Sequence, residues 1–232
     1  METANTMVDK LQPRSGFDRA LSEMRDNVVR LSTMVDKAIE RSIDALKHQD
    51  VELAHHIVAD DKEINALRYK IEEDAYTLMA MQNPLARDLR VIVTAIHITV
   101  ELERIADHAA GVAKLTIELA KEPLLKPLID IPRMAEISRG MLRDSIGAYL
   151  DWNHVLALEI VRRDVEVDTL DKRVYHDLLS FMLDDQSKVN RATYLLWVSH
   201  NVERIADRIT NICERIIYMV TGEVYNEELL ES

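Results

Sequence analysis

Apolar residues recur along this chain at alternating intervals of four and three. Val198, Val202, Ile205, Ile209, Ile212 and Ile216 form one such stripe, and Ile98, Leu102, Ile105, Ala109 and Val112 form another. That interval gathers side chains onto one face of an α-helix and marks a bundle seam. Ile57, Ile64, Leu67 and Ile71 make a third stripe, answered by Ile160, Val167, Leu170 and Val174. Turn chemistry interrupts the stripes at His48-Gln49-Asp50, Asn83-Pro84, Asp151-Trp152-Asn153 and Asp184 to Ser187. Pro123, Pro127 and Pro132 crowd between the two halves, where proline ends one helix and starts the next. The pattern therefore predicts helices over about 17–48, 51–81, 85–121, 133–150, 154–183 and 188–221.

The halves repeat one another. The pentapeptide ERIAD stands at Glu103–Asp107 and again at Glu203–Asp207. Ser42-Ile43 answers Ser145-Ile146, and Ile64 and Leu67 answer Val167 and Leu170, at an offset of 103 that falls to 100 in the third helix. The economical account is an all-α fold of two tandem homologous three-helix bundles. The expected organisation is a flexible N-terminus at 1–16, repeat 1 at 17–121 and a Pro-rich linker at 122–132. Repeat 2 at 133–221 and an acidic C-terminal tail at 222–232 complete it.

Composition supports the helices and narrows the partners. Gly and Pro number five each and aromatics are 5%, which leaves little turn chemistry for sheets. A formal net charge of −12 with no basic tract argues against nucleic acid. The longest notable uncharged run, Val91–Val100, is half of the roughly 20 residues that a bilayer requires. The N-terminus lacks the apolar core of a signal peptide, and the one cysteine, Cys213, excludes an intramolecular disulfide. A soluble cytoplasmic protein is expected.

The acidic residues carry the candidate chemistry. Glu103 and Asp107, like Glu203 and Asp207, lie one position past an apolar seam, on its rim, and Asn211 extends the second set where Gly111 stands in the first. A lone i, i+4 acidic pair means little, since about seven arise by chance among 41 acidic residues. Asp61 also interrupts the middle stripe of the first half, with Asn65 a turn later, and Asp164 and Asp168 do the same in the second. Folding each hairpin about its turn brings Asp61 level with position 106 and Asn65 with 102. The second hairpin brings Asp164 level with 206 and Asp168 with 202. Oxygen-bearing side chains then converge once per half. Such groups raise one another's pKa or bind an oxygen-seeking cation such as Mg²⁺, Mn²⁺ or iron, with zinc disfavoured for want of Cys and His. Burial with Arg104 and Arg204 in a polar network, or a solvated rim, are the alternatives at this point.

At these residues the sequence resembles the PhoU family of accessory and regulatory proteins of phosphate-specific transport. "LERIADHAAGVAK" and "VERIADRITNICERIIYMVTG" carry the likeness, with "DDKEIN", "RRDVEVD" and "PLARDLR" beside them. The resemblance implies a cytoplasmic non-enzyme, an adapter between the phosphate ABC transporter (its ATPase subunit) and a sensor histidine kinase. Such an adapter lowers phosphate-starvation signalling when phosphate is plentiful, and a homodimer is expected. It also implies that divalent or trivalent metal ions occupy the acidic motifs in some members and not in others. By position Asp61, Glu103 and Asp107 match in the first repeat, with Asn65 as a weaker donor. Asp164, Asp168, Glu203, Asp207 and Asn211 match in the second.

Two rival readings stand beside it. A di-iron oxidase needs two inward Glu-x-x-His elements, and the chain offers Glu52 to His55 near a turn, with Asp151 to His154 similarly terminal. A purely structural scaffold would use the Met-rich "YTLMAMQ" as core filler, with Trp152 and Trp197 as core anchors.

Overall fold

The computed structural model describes residues 12–82 and 84–225. Within them six α-helices follow one another: α1 (Gln12–His48), α2 (Val51–Gln82), α3 (Ala86–Leu119), α4 (Asp130–Asp151), α5 (His154–Asp184) and α6 (Val189–Thr221). A single 3-10 turn, Gln186–Lys188, joins α5 to α6, and no strand occurs among the described residues. The expected boundaries move at two starts. Helix α1 begins at Gln12, ahead of the predicted 17, and α4 at Asp130, ahead of 133. Pro13 and Pro132 fall in the first turns of these helices, where a missing N–H costs no intrahelical bond. The N-terminal residues 1–11, Asn83 and most of the expected acidic tail, 226–232, lie outside the described residues.

The repeat extends to the turns. Gln49 and Trp152, 103 apart, both take left-handed backbone, with φ of 52° and 57°. The next N–H closes the turn in each case, Asp50 onto the Ala45 carbonyl and Asn153 onto that of Ala148, both at 2.9 Å. This is a Schellman-type ending. The same two residues then cap the following helices: Asp50 Oδ1 accepts from Leu53 N at 2.9 Å and Asn153 Oδ1 from Leu156 N at 3.0 Å. Gly222 ends α6 at φ 80°, close against the Arg90 guanidinium, where a side chain would clash.

The two bundles are fused side by side. One hydrophobic cluster runs from Phe17 to Met219 and includes the seams of both halves, with Leu102, Ile105, Val202 and Ile205 essentially inaccessible. Helices α3 and α6 share the most extensive interface, and α1 also touches α4. The cross-half contacts reveal pseudo-two-fold symmetry. His108 Nδ1 meets Asn201 Oδ1 at 3.0 Å, and the equivalent pair 100 positions away, Arg208 and Glu101, meets at 3.5 Å. Asp36 and Arg139, themselves equivalents at offset 103, join through two bonds of 2.7 and 3.0 Å. The axis therefore passes between them, at a position that carries opposite charges in the two repeats. Trp197 departs from the expected core role: it is 52% exposed on α6, in edge contact with Tyr194. Trp152 packs partly against the core, with the Arg87 guanidinium 4.7 Å from its ring centre. Of the Met-rich stretch, Met79 packs against the core and Met81 is exposed.

Candidate functional site

Helices α2 and α3 assemble the first acidic patch. Asp61 accepts from Asn65 Nδ2 at 2.9 Å through one carboxylate oxygen, while its other, Oδ1, is buried with no protein partner. Burial raises the Asp61 pKa from its ordinary value and the Asp107 charge adds to the rise; the Asn65 bond and Lys114 oppose it. Glu103 is raised by burial first, then by Asp107 and more weakly by Asp61, against Arg68 and Arg104. Asp61, Glu103 and Asp107 thus share one neighbourhood. Ala106 lines the same cavity as Asp61, as the hairpin register predicts.

The second patch repeats this on α5 and α6 with more charge. Burial pushes the Asp164 carboxyl up to about 7, helped by Asp207, Asp168 and Glu203 in that order and opposed by Arg204. Its Oδ1 is also buried without a protein partner. Asp207 is raised by burial and by Glu203 and Asp168, with Arg204 and Arg208 pulling it down. The register again holds, with Asp164 and Asp168 both facing Asp207.

Asn211 goes elsewhere. Its amide donates to Glu101 Oε2 of α3 at 3.3 Å, beside Arg208, so it belongs to the seam between the halves. The corresponding Gly111 packs against Asn201, where a Cβ would stand 2.8 Å from Oδ1. The repeat therefore places position 111/211 between the bundles and not in the patches. The terminal Glu52 and His55 are both exposed in the first turns of α2.

Comparison with known proteins follows the same two units. A family model described as "PhoU domain" matches residues 28–116 and again 131–216. This chain belongs to the PhoU family. A protein of Clostridium acetobutylicum called phosphate-specific transport system accessory protein PhoU homolog is 38% identical over 90% of this chain and 96% of its own length. A Thermotoga maritima protein, PhoU homolog 2, is 34% identical over 92% of each. The crystal structure of PhoU from Pseudomonas aeruginosa superposes with a TM-score of 0.85 at 27% identity, over 89% of this chain and all of that one. That of the phosphate transport system regulatory protein PhoU from Streptococcus pneumoniae gives 0.84 at 30%, over 90% and 99%.

Within this PhoU fold each acidic patch is a loose set of oxygen donors whose side chains stand apart. Among the described residues no three Asp, Glu, His or Cys side chains form a ready-made metal shell. The donor chemistry nevertheless fits a hard cation: carboxylates crowd one another, and each patch has an aspartate oxygen that is buried and unpaired. Side-chain rotation is required for convergence. Two neighbours escaped the sequence reading. Asp171 accepts from Ser199 Oγ at 2.6 Å, beside the second patch, and Arg68, beside the first, pairs with Glu72 at 3.1 Å. The repeat itself contains a signal for a third: Arg41 pairs with Asp60 where, 103 positions on, Asp144 pairs with Arg163, the same bond with its charges exchanged. No helix among the described residues is long and apolar enough to cross a membrane.

Proposed function

We propose that this chain is a regulatory accessory protein of phosphate uptake. It couples the ATPase subunit of a phosphate ABC transporter to a sensor histidine kinase and represses phosphate-starvation signalling when phosphate is plentiful. The observation that carries this reading is the match of both repeats, over nearly the full length of relatives named as phosphate-specific transport accessory proteins. The protein acts in the cytoplasm, as a homodimer, by binding and not by catalysis. Deleting the gene in its host and following a phosphate-starvation reporter tests the role. Derepression in phosphate-replete medium, reversed by the wild-type gene, is expected, together with capture of transporter and kinase by the tagged protein. An unchanged reporter and no capture of either partner would refute it.

The acidic patches are the proposed cation sites. Asp61, Glu103 and Asp107 would hold an ion in the first repeat, and Asp164, Asp168, Glu203 and Asp207 in the second. A bound Mg²⁺, Mn²⁺ or iron ion supplies positive charge that relieves the like-charge crowding and ties the middle helix of each bundle to the third. Asn65 and Asn211 are committed to Asp61 and Glu101 and stand outside these sets. Elemental analysis of protein purified without chelator, paired with a melt in EDTA, is the test. Metal at both repeats and a lower melting temperature on chelation are expected, because a ligand that binds the native state stabilises it.

A further inference from the structure

The two patches share a pentapeptide but not a charge balance. In the second, the Arg204 guanidinium grips Glu203 through two bonds of 2.7 Å, and its remaining nitrogen reaches Asp207 at 2.8 Å. His200 stands 3.4 Å from the same glutamate. In the first, Arg104 occupies the equivalent position but is exposed and makes no hydrogen bond or ion pair with a described residue, although its charge still reaches Glu103. The other guanidinium near that patch, Arg68, pairs with Glu72 at 3.1 Å and lies 4.6 Å over the Tyr69 ring.

Access differs as well. A cavity of about 210 Å³ opens beside Asp61, walled by Met34, Ala38, Ile64 and Ala106, with Lys37 and the Asp60-paired Arg41 also on its wall. At offset 103 the second repeat has a fully buried Met141 in place of Ala38. The first patch therefore has cations near it, Lys114, Arg68 and Arg104, that do not bond to its carboxylates, and it stays open to this cavity, whereas the second is clamped by its own arginine. A metal drawing on these two carboxylates meets the guanidinium charge and finds both oxygens of Glu203 and one of Asp207 already engaged in charge-assisted bonds.

We infer that Arg204 is a displaceable internal counter-ion, so that an oxygen-seeking divalent cation fills the first patch before the second and enters the second by expelling Arg204. The inference rests on the cation reading given above and adds an order of loading to it. Arg204 is itself 40% exposed, so its side chain has room to swing into solvent. Because it and the metal compete for Glu203 and Asp207, the clamp weakens the second site by about tenfold or more, the worth of a charge-assisted hydrogen bond.

Mn²⁺ titration of the intact protein, with free Mn²⁺ read by electron paramagnetic resonance, tests this. Two classes of site separated by about tenfold or more are expected. Glu103→Gln removes the tight class and Glu203→Gln the weak one. Arg204→Gln tightens the weak class by about tenfold, whereas Arg104→Gln leaves the tight class within about threefold. Arg204→Lys keeps the charge but not the fork, and gives an intermediate value with the fold undisturbed by circular dichroism. One class of equal sites in the wild type, or a weak class unmoved or weakened by both Arg204 variants, overturns the order of loading while the cation reading stands. Absence of Mn²⁺ binding from every variant refutes both.

Discussion

Asp164→Asn is the sharpest probe of the second patch, because it removes the charge and keeps the shape. The unfolded carboxyl ionises near 3.8 and the folded one near 7. Between those values the native state holds a proton that the unfolded chain has lost. The wild type's favourable contribution is complete below the lower value and disappears as pH rises through the upper one. Above it, the native protein carries a crowded carboxylate facing Asp207, Asp168 and Glu203. At about 1.4 kcal/mol per decade the full displacement would amount to about 4 kcal/mol. Asp164 is only half-buried, and solvent screening reduces this to about 1–2 kcal/mol. The metal-free variant is therefore expected to exceed the wild type at pH 8 by about 2–8 °C in melting temperature, for a chain of this size. The gap should narrow as pH falls through 7 and close only below about 3.8, where the carboxyl is protonated in the folded and the unfolded chain alike. Thermal melts in EDTA across that range provide the assay. A variant less stable than wild type at pH 8, or a gap independent of pH, would refute the electrostatic account.

Other expectations follow from the seam between the bundles. Arg139→Ala leaves Asp36 largely buried with only Arg143 at 3.4 Å, and should cost about 1–3 kcal/mol in urea unfolding. Gly111→Ala drives a methyl group onto Asn201 Oδ1 and disturbs its contact with His108, for about 1 kcal/mol by the same measurement. Ile205→Ala opens a hole in the shared core and should cost about 2–5 kcal/mol. Both repeats should unfold in one calorimetric transition, before and after that change; two separated transitions would show that the common core does not couple them.

Ordered loading would give the duplication a functional consequence. Two identical pentapeptides need not make two identical patches, because neighbours outside the pentapeptide, such as Asn65 against Asp168 and Val100 against His200, set the charge each one faces. Arg41–Asp60 and Asp144–Arg163 illustrate the same divergence, with one bond kept and its charges exchanged. So does the axis pair, Asp36 and Arg139, which could not attract if both repeats carried one residue there.

Much of the architecture was written in local pattern. Stripes such as Val198 to Ile216 fix a helix and the face it buries, since the period of 3.6 is a property of the backbone itself. The turns were legible for the same reason: Asp50 and Asn153 are side chains suited to capping, at matched positions. The hairpin register, which brings Asp61 to Ala106 and Asp164 to Asp207, followed from helix rise and short turns. Asn211 and Trp197 were not legible. A helix periodicity identifies a rim but not which neighbour covers it, and α3 against α6 supplies a second burial surface that no single hairpin contains. That packing draws Asn211 to Glu101 and leaves Trp197 outside.

Sequence by itself determined six helices, their pairing within each repeat and the height at which the acids meet, because each depends on neighbours near in the chain. Tertiary structure alone decided that the bundles share one core, that Arg204 closes one patch while Arg104 leaves the other open, and which polar groups became seam. Those outcomes depend on side-chain rotamers and on surfaces brought together from residues about 100 positions apart, where local periodicity carries no information.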